Sequence, residues 1–112
     1  MNENLKYEIL LNCQLINRGV KSASIIPFQE RYLSEVIEII KKEPLYYLLE
    51  PQSTDGWRNI WIYKNPALKI IIKSLPECPE TPSDHFILGV IFGYSIDSIL
   101  EYIQKQTNKS NN

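Results

Sequence analysis

The sequence predicts an α+β domain, with about five helices packed with a small antiparallel sheet, and three observations carry that expectation. Apolar residues recur at helical spacing in several separate segments. Two short runs of aromatic and branched residues flank a turn that ends in Asp-Gly. No segment repeats, and at 112 residues the chain suits one domain rather than two. A domain of this size buries roughly two thirds of the surface its unfolded chain exposes. With 44% hydrophobic residues it needs neither metal nor disulfide to hold a core. Residues 1–106 are expected to form the single globular domain, and residues 107–112 a flexible polar tail.

Leu5, Ile9, Cys13 and Ile16 share one helical stripe, and Gly19 follows where a helix end favours positive φ, so the first helix is expected over about 4–18. Residues 20–26 are too few for a helix and suit a short strand closed by Pro27. Pro27 is also placed in the first turn of a second helix reaching Lys42, with Tyr32, Val36, Ile39 and Ile40 on its inner stripe. A hairpin is expected over about 45–64, its arms running from Leu45 to Glu50 and from Trp57 to Lys64. A lone hairpin is marginal in water, so helices must cover at least one face. Asn65-Pro66 marks the start of a third helix. Ser83 or Asp84 is expected to cap a fourth, apolar almost all round from Phe86 to Phe92 and therefore placed at the centre of the fold. Ser95 caps a fifth, with Ile96, Ile99, Leu100 and Ile103 on its inner face.

Charge and composition narrow the function classes. Net charge is −1 and no Lys/Arg cluster forms a phosphate-tracking surface, so nucleic acid and anionic membranes are disfavoured partners. The N-terminus lacks a signal-peptide pattern, the longest apolar run is too short to span a bilayer, and two cysteines suit a reducing compartment, so a cytoplasmic location is expected. Abundant Ile, Asn and Lys suggest a bacterial or phage gene. Cys78 and His85 stand seven apart without the paired spacing of a zinc site, and the four glycines are scattered singly. A Cys78–His85 pair can be drawn for nucleophilic catalysis, but nothing else in the sequence points to a base held in hydrogen-bond reach or to an oxyanion site. The expectation is no catalytic residue, no metal, no cofactor and no enzyme activity.

Two patterns remain. On the Trp57 arm, alternation puts Trp57, Asn59, Trp61 and Tyr63 on one face, and Arg58, Ile60 and Ile62 on the other. Trp, Tyr and Arg dominate binding hot spots, so Trp57, Arg58, Trp61 and Tyr63 are the candidate protein-binding residues; the alternative is that helices bury the tryptophans. The second pattern is Leu88-Gly89, then Gly93-Tyr94-Ser95, then Ile99, which resembles the core of a bacterial helix-turn-helix over about twenty residues. That resemblance implies a DNA-reading helix from Ser95 to Gln106, with Tyr94, Ser95, Asp97 and Ser98 near the bases. The pattern departs from the motif where Asp97 and Glu101 stand, because acids repel phosphate. The leading expectation is a small regulatory or adaptor protein that binds another protein, with homodimerisation open. A helix-turn-helix regulator is the alternative, and a small-molecule sensor with a pocket between the fourth helix and the sheet is the second.

Overall fold

The structure, a computed structural model, describes residues 2–110 except residues 54 and 77. The described residues form an α+β fold in the order α1 (Glu3–Asn17), β1 (Ala23–Gln29), a 3-10 turn (Glu30–Tyr32), α2 (Leu33–Lys41), β2 (Tyr46–Leu49), β3 (Trp57–Tyr63), α3 (Leu68–Ser74), α4 (Pro82–Ile91) and α5 (Ile96–Ser110). The three strands are antiparallel in the order β1-β3-β2, so the Trp57 arm is the central strand. Ile25 and Leu48 flank Trp61 across the ladder, and Ile26 and Leu49 flank Ile60.

Because side chains alternate along a strand, this sheet has two apolar faces. Ile26, Phe28, Ile60 and Ile62 pack against Ile9, Cys13 and Ile16 of α1 and Val36 and Ile40 of α2. Ala23, Trp61 and Tyr63 pack on the opposite side against Ile72 of α3 and Ile91 of α4, with Leu88 and Phe92 at the margin. The protein therefore has three layers, helices on both sides of a thin sheet, and α5 lies against α4 outside them.

Several elements differ from expectation for identifiable reasons. β1 does not stop at Pro27 but runs to Gln29, and α2 begins only at Leu33 after the 3-10 turn. Ile26 and Phe28 are both buried with Pro27 exposed between them, so the two-residue period of a strand prevails over the proline signal. An edge strand tolerates proline, which lacks the N–H a central strand would need to donate. The Asn65 side chain accepts from the Ala67 N–H at 2.9 Å, yet residues 66–67 form a turn and α3 starts at Leu68. Helix α5 continues to Ser110, past the point where polarity suggested a frayed tail.

The N-cap of α4 is Thr81, three residues before Asp84 rather than at Ser83 or Asp84. Thr81 Oγ1 accepts from the Asp84 N–H at 3.1 Å, and Asp84 Oδ2 accepts from the N–H groups of Thr81 and Glu80, each at 3.2 Å. This reciprocal box satisfies donors that the helix end leaves open. The backbone N–H of Thr81, then that of Glu80, holds the Asp84 carboxyl below its ordinary range. A carboxylate with a depressed folded pKa contributes stability that is complete above the unfolded pKa and is lost as pH falls through the folded value. Urea midpoints of the wild-type protein should fall more steeply below about pH 4 than those of Asp84→Asn. Parallel acid titrations would discard the ionised Asp84 carboxyl as a source of stability.

Candidate interaction surface on helices α4 and α5

Helix α4 ends in a Schellman arrangement. The Gly93 N–H donates to Val90 O at 3.1 Å and the Tyr94 N–H to Gly89 O at 3.0 Å, with Gly93 at φ +83°. A Cβ at Gly93 would stand 2.6 Å from Val20 O, because the end of α4 rests on the loop between α1 and β1. The Ser22 N–H reinforces that contact by donating to Ile91 O at 2.9 Å. Ser95 then caps α5, its Oγ accepting from the Ser98 N–H at 3.1 Å. The helices close tightly: an added Cβ at Gly89 would lie 2.5 Å from Ile99 Cγ1. The helix-turn-helix-like pair expected from Gly89, Gly93 and Ser95 is present.

Helix α4 is not buried at the centre of the fold. Sheet and α3 cover one side and α5 a second, which leaves Phe86, Ile87 and Val90 exposed. Among the described side chains of α5 only Ile99 is fully inside, with Ile103 partly so, while Ile96 and Leu100, expected on the inner face, are half exposed. A groove of about 460 Å³ marks one flank of the helix pair, lined by His85 and Leu88 from α4, by Phe92 at its C-cap, and by Ser98 and Tyr102 from α5. At about 100° per residue, Phe86, Ile87 and Val90 fall on the other flank of α4, and Ile96, Leu100 and Ile103 on the same flank of α5. These two rows form one apolar face across both helices. Asp84 on α4 and Asp97, Glu101, Lys105 and Lys109 on α5 fall outside it by the same geometry.

No protein-family model matches the chain, and no curated protein resembles it in sequence. The residues themselves therefore carry the functional argument.

The candidate protein-binding residues are not brought together at the surface. Trp61 is 6% and Tyr63 3% exposed, both under α3 and α4, so the aromatic face of β3 is largely core. The Trp61 ring stacks on Phe92 at 5.7 Å and its Nε1 donates to Glu50 Oε1 at 3.3 Å. Burial, with Tyr46 adjacent, pushes the Tyr63 hydroxyl pKa up. Arg58 is committed to Glu30 Oε1 at 3.0 Å and Glu50 O at 2.9 Å. Trp57 alone of the four is open, at 45%. Alternation along β3 separates Trp57 from Arg58, but whether a second layer covers the aromatic face depends on α3 and α4, which lie later in the chain.

The residues placed near DNA bases are all exposed, Tyr94 and Ser95 just before α5 and Asp97 and Ser98 in its first turn. The Ser95 hydroxyl donates to Ser98 Oγ at 2.9 Å in addition to capping the helix. Among the described residues, no three His, Cys, Asp or Glu side chains are grouped as metal ligands. His85 instead packs edge-on against Tyr102, with ring centroids 5.2 Å apart. Cys13 is buried, and desolvation, with Glu43 adding to it, pushes its thiol up to about 11. No helix among the described residues is long and apolar enough to cross a membrane.

A cleft of about 390 Å³ lies between α4 and the sheet, walled by Leu48, Trp61, Ile72, Leu88 and Phe92 with Glu50 at its edge. Its volume falls in the range of small-molecule sites.

Proposed function

We propose that this chain is a small non-catalytic regulatory or adaptor protein that acts by binding another protein, through the apolar face of α4 and α5. The supporting observation is that Phe86, Ile87, Val90, Ile96 and Leu100 are between 37% and 52% exposed on two closely packed helices, and helix periodicity puts them on one flank of the pair. A contiguous apolar patch of a few hundred Å² is often functional, whereas single exposed apolar residues need no explanation. The six side chains of the two rows carry no ionisable or nucleophilic group, and they offer a partner area and shape. Glutamate at Leu100 should weaken partner capture at least tenfold, since interface anchors carry about 2 kcal/mol or more each. Leu100 is half exposed in the folded chain, so the variant should keep the wild-type near-UV circular dichroism. Unchanged capture by a folded Leu100→Glu protein would reject this surface.

A small-molecule sensor is the second reading, favoured by the cleft between α4 and the sheet. Thermal shifts across a metabolite panel test it, with Leu88→Trp as the variant that fills the cleft. The DNA-reading alternative is supported by the turn between α4 and α5, while the acids Asp97 and Glu101 on the reading helix oppose it.

A further inference from the structure

The exposed face of α4 and α5 has a property that a general docking surface does not require: it is free of charge along its whole length. Its rows are Phe86, Ile87 and Val90 on one helix and Ile96, Leu100 and Ile103 on the other, although α5 carries four charged residues. From this we infer that the face is where two copies of this chain pair, a proposal that rests on the α4–α5 face being a protein-binding surface.

Three arguments select a second copy as the occupant. In a two-fold interface the same patch meets itself, so a charge near the axis faces its own like charge. An uncharged face avoids that repulsion, and the net charge of −1 adds little at long range. A partner of strongly acidic or basic surface finds nothing complementary here. The area also fits. The five most exposed side chains of this face, at 37% to 52% exposure, present on the order of 400 Å² of apolar surface. A stable interface buries roughly 800 Å² per partner, somewhat more than half of it apolar. The polar rim of α4 and α5 supplies the remainder. Shape is the third argument: two closely packed helices present two neighbouring rows of apolar side chains, which can pack on their own symmetry mate as a four-helix layer.

Sedimentation velocity from about 1 to 200 μM separates the outcomes, run on wild-type protein, Leu100→Glu, Val90→Glu and Leu11→Glu. Leu11 is an equally exposed apolar residue, but it lies on α1 across the sheet and serves as the control. The proposal expects wild type and Leu11→Glu to sediment as twice the 13.1 kDa chain at the upper concentrations. The two face variants should stay monomeric, with at least tenfold weaker association and unchanged near-UV circular dichroism. A wild type that is monomeric throughout overturns the pairing. If capture of a different protein is then still lost in Leu100→Glu, the face remains a binding surface and only its occupant was wrong. A dimer abolished by Leu11→Glu but not by the face variants overturns the pairing and places self-association on α1. Should either face variant lose its near-UV signal, Ile96→Gln, which adds no charge, takes its place under the same criteria.

Discussion

Trp61→Ala should lower the unfolding free energy by about 3–5 kcal/mol, while Trp57→Ala should cost less than about 1 kcal/mol. The two tryptophans lie four residues apart on β3, and only their covering differs. Trp61 is sandwiched between the sheet and the second helical layer, stacked on Phe92 and hydrogen-bonded to Glu50. Truncating it opens a cavity beside Ile25, Leu48 and Leu88, all of which already border the cleft under α4. Small domains are stable by only about 5–15 kcal/mol, so the loss is a large fraction of the total. Urea unfolding followed by far-UV circular dichroism measures both variants. Similar costs for the two would mean that α3 and α4 do not cover the sheet as described.

That contrast shows where sequence reasoning reaches its limit. The hairpin, its register face and the turn at Gly93 follow from local chemistry: an Asp-Gly turn, two-residue alternation, a glycine where positive φ is needed. The residues that decide coverage are distant. Trp61 is core because Ile72 and Ile91 arrive over it, and nothing within β3 announces them. The apolar character of α4 posed the same problem in reverse. A helix that is apolar all round implies burial, but a three-stranded sheet gives α4 only one side to cover and α5 a second. The third side, with Phe86, Ile87 and Val90, stays open. The candidate surface is thus present in the sequence as an excess of apolar residues on α4, and the number of layers decides which of them stay outside. Pro27 misled at shorter range: the helix-start signal was sound chemistry, but Phe28 had to reach the core and kept the strand going.

The geometry that holds the two rows side by side depends on Gly89, and this gives the second large expectation. Alanine in place of a glycine within a helix ordinarily stabilises it by about 1 kcal/mol. At position 89 the sign should reverse, with a net loss of about 1–3 kcal/mol, because the new methyl would stand 2.5 Å from Ile99 Cγ1 and 2.7 Å from its Cδ1. All three atoms nearest that methyl belong to the Ile99 side chain, so the strain has one source. Ile99 is only 3% exposed, and Ile99→Ala alone should cost about 2–5 kcal/mol through the cavity it leaves. In the double variant the methyl introduced by Gly89→Ala occupies part of that cavity. The cost should therefore fall short of the sum of the single costs by about 1–2 kcal/mol, measurable as a coupling energy from urea unfolding. Gly89→Ala alone should also weaken self-association, since prying α5 from α4 changes the spacing of the rows that meet a second copy. A stabilising Gly89→Ala, or strict additivity with Ile99→Ala, would mean that the helices part without cost. The rows would then not be held at a fixed spacing, and a face defined by two rigid helices would lose its physical basis.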